Sequence, residues 1–297
     1  MPNRLAAIQS REFVRESEGV DATDIASELS KSAVLSLYRE VSLYPKPGLV
    51  SPIDSGSHND MDYQMFLASI NSLRGYFVDI TKAGVSGAPF SVLQRLGIQA
   101  EARMMVATHG VNTHRGAIFN LGLLCAAAGY LRFRSKRLTP DALGTVIADK
   151  WGQCILATSE SKAGAVCSHG QQVEAKYGIH GARYEAVAGF PSAKRHGLPA
   201  YRDALKATGS REAAAVQALF AVMIDLDDTN ILWRAGQQGL HYVKGMAKTF
   251  IDDGGVYVPR WRERAVEIHR AFIQRNLSPG GAADLLGVTL FINAICD

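Results

Sequence analysis

Apolar residues recur every third or fourth position along almost the whole chain, and one-for-one alternation of apolar and polar residues is almost absent. Over residues 24–43, Ile25, Leu29, Ala33, Leu37 and Val41 form one stripe, with Glu28, Lys31 and Arg39 mostly off it. That spacing places the apolar side chains on one face of a helix. Residues 61–82 repeat the pattern through Met65, Phe66, Ile70, Leu73, Phe77 and Ile80. Further helices are expected over 113–133, 213–226, 230–252, 259–274 and 282–295. Start signals add to the list: Ser91 with Gln94 and Ser168 with Gln171 fit capping boxes. Thr139-Pro140-Asp141 sets a cap, a first-turn proline and a dipole-favoured acid in order. The pattern predicts an all-α fold. No fixed-period repeat, flexible linker or composition break divides it, so the expectation is an N-terminal extension over 1–22 and a single multi-helix catalytic domain over 23–297.

At 297 residues, 47% hydrophobic and 20% charged, the chain has enough apolar material for a large core, which excludes wholesale disorder. Its 32 Lys and Arg against 28 Asp and Glu leave a net charge of +4, spread thinly along the sequence. A nucleic-acid binder concentrates its basic residues, so no nucleic-acid partner is expected. The apolar run 117–131 is interrupted by Asn120, Gly122 and Gly129 and falls short of the roughly 20 residues that cross a bilayer. It reads as a buried helix, and no membrane partner is expected. The basic run that follows it, Arg132 to Arg137, suits a helix C-terminus, where cations are favoured. The first residues lack a signal-peptide core, and the four cysteines, Cys125, Cys154, Cys167 and Cys296, show no pairing pattern. A cytoplasmic protein is the expectation.

Five joints between these helices crowd glycine, proline and polar residues together. The first, residues 40–62, carries Pro45, Pro47 and Pro52 beside Glu40, Lys46, Asp54, His58, Asp60 and Asp62. It is either a proline-stiffened crossover or a functional loop. In the second, Gly110 can end one helix, and Asn112 or Thr113 can cap the next. Arg115 and free backbone N–H groups then stand at a helix N-terminus, a geometry that suits phosphate and is equally found in plain turns. His109 and His114 lack the spacing of a helical zinc pair. The third joint holds Arg183 and Glu185, which can form a surface ion pair or contact a ligand. The fourth packs Asp225, Asp227 and Asp228 into four positions ahead of Thr229, Asn230 and Arg234. Such a run is an acidic helix start or a site for a hard cation such as Mg²⁺. In the fifth, Ser278 is expected to cap and Pro279 to open the last helix, with Gly280 and Gly281 allowing close approach to backbone amides.

Taken together, Pro45-Lys46-Pro47-Gly48-Leu49-Val50, Ser55-Gly56-Ser57-His58 with Asp60-Met61-Asp62, Gly110-Val111-Asn112-Thr113-His114-Arg115-Gly116, Asp228-Thr229-Asn230, and Leu277-Ser278-Pro279-Gly280-Gly281 with Ala283-Asp284 resemble the triphosphoribosyl-dephospho-coenzyme A synthases. The resemblance runs in order from about residue 40 to 285. It implies an all-helical enzyme that uses ATP as a glycosyl donor. In that family the 2′-hydroxyl of 3′-dephospho-coenzyme A displaces adenine from the ribose of ATP. The product is the precursor of the prosthetic group on the acyl carrier subunit of malonate decarboxylase or citrate lyase, and malonate decarboxylase is the expected client.

The roles that follow are expectations. Asp227 and Asp228, joined by Asp60 or Asp62, would bind Mg²⁺ on the triphosphate, and Asp228 would also act in catalysis by stabilising an oxocarbenium-like centre. Lys46, Arg115, Arg183 and Arg234 would contact phosphates, and Ser278 with the amides of Gly280 and Gly281 would form an anion cradle. His58 or Glu40 would activate the hydroxyl, and His114, titrating near neutral pH, would help adenine leave. Asn112 and Asn230 would orient ligand or metal. Two alternatives carry different chemistry: a Mg²⁺-dependent ADP-ribosyl hydrolase, in which water is the acceptor, and a non-catalytic helical protein that binds nucleotide or coenzyme. A homodimer is compatible with the sequence, since amphipathic patterns do not separate a dimer seam from a core.

Overall fold

The computed structural model describes residues 21–157 and 169–296. Among them there is no strand, and the chain runs through helices α1 (Ala22–Val41), α2 (Tyr63–Ser72), α3 (Arg74–Val85), α4 (Phe90–Ala107), α5 (Arg115–Phe133), α6 (Pro140–Ile147), α7 (Gln153–Ala157), α8 (His169–Tyr177), α9 (Ala182–Val187), α10 (Leu198–Thr208), α11 (Arg211–Asp225), α12 (Thr229–Asp252), α13 (Trp261–Gln274) and α14 (Gly280–Ile295). The all-α expectation holds.

Two helices, apolar almost all round, organise the rest. In α5, Leu121, Leu124, Cys125, Ala126, Ala127 and Ala128 are all fully buried, and α1, α3, α4, α6 and α14 pack around it. In α14, Leu286, Val288 and Phe291 are fully buried, and this helix also contacts α10, α11 and α12. A helix without a polar face needs cover on every side. By length and composition α5 could cross a bilayer, but 72% of its apolar window is enclosed by protein. Each buried leucine of this kind contributes roughly 1.5–3 kcal/mol.

Helix boundaries follow their caps. Asp21 accepts a hydrogen bond from Thr23 N at 3.0 Å, Thr139 from Ala142 N at 3.1 Å and Ser210 from Ala213 N at 3.2 Å. Three expectations need correction. Residues 61–82 form two helices, α2 and α3, because the chain turns at the fully buried Leu73 so that α2 can reach α4 while α3 lies on α5 and α1. Ser91 caps nothing: α4 already begins at Phe90, drawn inward by its buried ring, and Ser91 is exposed in the first turn. α12 is interrupted at Gly236, whose φ of 63° and ψ of −163° leave the helical region. Of the capping pair expected at Ser168 and Gln171, Ser168 lies outside the described residues.

Candidate active site

Burying a charge is costly unless it is paired or hydrogen-bonded, so buried ionisable groups mark where a fold serves something other than packing. Among the described residues the buried Glu, Lys and Asp side chains are Glu40, Lys46 and Asp228, and two histidines, His114 and His269, are buried as well. Glu40, Lys46, His114 and Asp228 lie at the joints singled out from the sequence, and His269 lies within α13. The connections begin at the end of α1, where Glu40 takes a salt bridge from Lys46 at 2.6 Å. The same ammonium also bonds the Glu40 carbonyl at 3.0 Å. Lys46 is held there by its loop. The Gly48 N–H donates to His269 Nδ1 at 3.1 Å, and His269 Nε2 donates to Asp54 at 3.0 Å. Gly48 itself has φ +67° and lies so close to the Leu277 carbonyl that any Cβ would overlap it.

The first and fifth joints are bound to each other. Ser57 Oγ donates to the Leu277 carbonyl at 2.7 Å, and His58 Nε2 lies 2.7 Å from Ser278 Oγ. Arg234, from the second turn of α12, donates to His58 Nδ1 at 3.2 Å and to the Ser57 carbonyl and Asn276 Oδ1, both at 3.1 Å. Because a guanidinium only donates, His58 Nδ1 accepts and its proton resides on Nε2, facing Ser278. Burial and the Arg234 charge lower the His58 pKa, in that order, so the ring is neutral at neutral pH. Ser278 is therefore the partner of His58 and not the cap of α14, which starts at Gly280.

Three helix N-termini meet at the centre. Asp228 caps α12 through Oδ1, which accepts from Asn230 N at 2.9 Å and Ile231 N at 3.4 Å. Its Oδ2 accepts from Ala282 N of α14 at 3.0 Å, and the Gly281 N–H adds to the same carboxylate. Asp284, one turn into α14, presses its carboxyl against Gly116 at the start of α5, so that a Cβ there would overlap it, and takes the Ala117 N–H. Burial raises the pKa of both acids, Asp284 the further because Glu40 and Asp228 add like charge. The anion cradle expected at Gly280 and Gly281 is consequently filled from within. The Gly280 N–H bonds the Ser278 carbonyl, and Asp228 takes the amides beyond it.

His114 closes the far side. Thr113 Oγ1 donates to Ser69 Oγ at 2.8 Å, and Ser69 lies 2.6 Å from His114 Nδ1. With the Ser69 hydrogen directed to Nδ1, the imidazole proton sits on Nε2, which is buried without a hydrogen-bond partner. Burial, reinforced by the Lys46 charge, lowers the His114 pKa to about 3. The expectation of a histidine titrating near neutrality is corrected: His114 is a neutral ring offering an N–H.

The remaining predicted residues fan outward. Asp227 is exposed and paired with Lys244 at 2.6 Å, Asp225 lies 3.3 Å from His196, Asp60 is 64% exposed at 3.5 Å from His58, and Asp62 caps α2 through Met65 N at 2.8 Å. Among the described residues no three His, Cys, Asp or Glu side chains gather as they would around a metal ion. Asp60, Asp62, Asp227 and Asp228 thus do not fit one shared Mg²⁺. Asn112 caps α5 by accepting from Arg115 N at 3.1 Å, Arg115 pairs with Glu101, and Asn230 lays its amide against Gly280. Arg183 stands on α9, and Gly181, two residues before it, lies beside Thr229 at the head of α12, where an added Cβ would meet the Thr229 methyl. Sequence reasoning gave no role to Asp284, Ser69 or the Asp54–His269 pair. Asp284 was visible only as part of a motif, and Ser69 carried no signal at all.

Carboxylates buried together at converging helix N-termini are the kind of ionisable cluster that enzyme active sites use. The family model described as ATP:dephospho-CoA triphosphoribosyl transferase matches residues 26–297, and the chain belongs to that family. It is 42% identical over 273 residues to a probable 2-(5''-triphosphoribosyl)-3'-dephosphocoenzyme-A synthase of Acinetobacter calcoaceticus, covering 92% of each chain. It is 37% identical over 292 residues to the synthase of that name from Pectobacterium atrosepticum, covering 96% of this chain and 94% of the relative. A probable synthase of Pseudomonas fluorescens is 38% identical over 276 residues, covering 91% and 92%. No solved structure matches the chain.

Proposed function

We propose that the protein transfers the 5-triphosphoribosyl group of ATP to the 2′-hydroxyl of 3′-dephospho-coenzyme A and releases adenine. The observation that carries this reading is the convergence of Glu40, Lys46, Asp228 and Asp284 on the N-termini of α5, α12 and α14 in a chain of this family. Breaking an N-glycosidic bond builds positive charge on the ribose carbon, and buried carboxylates stabilise such a centre. Arg115, Arg183 and Arg234 keep part of their surface exposed and are the proposed triphosphate contacts. Lys46, turned onto Glu40, acts through its charge and not as a free phosphate hook.

His114 Nε2–H is a neutral donor for the purine, and His58 with Ser278 is the pair proposed to receive the acceptor hydroxyl. Mg²⁺ is proposed as the counter-ion that ATP brings, held chiefly by its phosphates. A cytoplasmic location is proposed on the sequence, whose four cysteines show no pairing pattern. The carrier of malonate decarboxylase is proposed as the client over that of citrate lyase on the resemblance alone.

Mass spectrometry of a reaction containing ATP, Mg²⁺ and dephospho-coenzyme A tests the reading. Free adenine together with a coenzyme adduct heavier by the triphosphoribosyl group is the expected result. Ribose triphosphate without an adduct would make the protein a hydrolase, and unchanged ATP would remove the enzymatic reading.

A further inference from the structure

We propose that Asp284 is the acid of this transfer, its carboxyl giving a proton to the adenine as the base departs. The inference rests on the reaction proposed above and adds a residue to it. Three carboxylates crowd the hub, and the structure distinguishes them by what already holds them. Glu40 is neutralised by Lys46 at 2.6 Å, and both are buried. Asp228 has both carboxylate oxygens occupied by the N–H groups of Asn230, Ile231, Gly281 and Ala282, which commit it to joining two helices even though burial raises its pKa as well. Among the described residues Asp284 takes the single N–H of Ala117, and it is the one of the three that keeps part of its surface open. Of the three it is the least held by protein partners, and it is the one assigned to exchange a proton with a bound molecule.

The surroundings decide the protonation state. Glu40 from α1 and Asp228 from α12 oppose a third negative charge, the compensating cation Lys46 is closed onto Glu40, and His114 from α5 is neutral. Burial and these two acids raise the Asp284 pKa well above the usual carboxylate range. A carboxyl so placed holds a proton at a pH where an ordinary aspartate has lost it, as a general acid requires.

The step balances. The ribose C1′–N9 bond of ATP breaks with its electron pair moving to the purine, and the Asp284 proton goes to a purine ring nitrogen. The coenzyme hydroxyl oxygen bonds to C1′, and the proton it loses replaces the one on Asp284, restoring the enzyme.

Asp284→Asn keeps the size of the side chain and removes the proton. With ATP and dephospho-coenzyme A, adenine release should fall by about 10²–10⁴ in kcat while KM for ATP changes by less than about threefold. An ATP analogue whose base leaves more readily as an anion, 8-aza-ATP, should narrow the gap between variant and wild type by about tenfold or more, since its base depends less on an acid. Undiminished turnover, or an equal deficit with both nucleotides, would overturn the assignment. Should the variant lose its helical circular dichroism, carboxyl ¹³C NMR of the wild-type enzyme labelled at aspartate gives the answer: an Asp284 carboxyl, assigned by its backbone connectivity, that is still protonated at neutral pH supports the proposal, and an ionised one overturns it. Failure of the wild type to release adenine would overturn the transfer reading and this role with it. Normal wild-type release beside an unimpaired Asp284→Asn removes the role alone.

Discussion

Lys46 shows how strongly single residues are constrained here. Its ammonium is buried against Glu40, and replacing it with methionine leaves a carboxylate enclosed without its partner. Lys46→Met should cost about 3–5 kcal/mol in urea unfolding, and adding Glu40→Gln should recover a large part of that. A double variant no more stable than the single one would show that the pair is not the source. The sequence exposed which residues matter more readily than how they act. Lys46, His58, His114, Asp228 and Ser278 were all singled out, because proline, glycine and uncompensated charge between amphipathic helices are hard to explain by packing. Their states were not legible. Nothing in the order of residues says that Ser278 faces His58 and leaves capping to others, that Asp228 fills the amides meant for a phosphate, or that burial takes His114 out of the neutral pH range. Asp284 was quoted in a motif but given no role, because an aspartate in the first turns of a helix is ordinary until its neighbours are known.

Helices were the most legible level. α1, α5, α11, α12, α13 and α14 fall within a few residues of the apolar pattern, since an amphipathic face or an apolar run is written directly in the sequence. The split between α2 and α3 was hidden, because a one-residue turn at Leu73 keeps the stripe in phase. The short helices α7 to α9 had too few turns to show a period, while α10, with Leu198, Tyr201 and Ala204 buried at helical spacing, was legible yet not among the expected helices. Between elements, the contact of α14 with α5 is where the site is most easily broken. Gly116 lets the Asp284 carboxyl lie against the α5 backbone, and the methyl of Gly116→Ala would occupy that space. The expected outcome is a soluble, helical protein whose turnover falls by about tenfold or more, because displacements of the order of 1 Å at a reacting group are costly. Wild-type kinetics in Gly116→Ala would mean that the two helix ends tolerate separation.

The response of the whole molecule to acid is a sum over these buried groups. In the folded state His114 has a pKa near 3 against about 6.5 in the unfolded chain, so below pH 6.5 the unfolded chain takes up a proton that the native state refuses. Stability therefore falls on acidification by up to about 1.4 kcal/mol per pH unit for this group, and is unaffected by it above pH 6.5. His58 is lowered and acts in the same direction, while Asp228 and Asp284 are raised and act in the opposite one. Urea unfolding at pH 6.5 and pH 5 should show a smaller loss in His114→Gln than in the wild type, and equal losses would contradict a histidine buried without charge. The parts that meet at the hub are drawn from nearly the full length of the chain: Glu40 ends the first helix, and Asp284 opens the last. A ribosome that has made everything up to α13 has not yet made Asp284 or the α14 amides that hold Asp228. Under the proposed roles, the growing polypeptide stays chemically silent until α14 has emerged and docked.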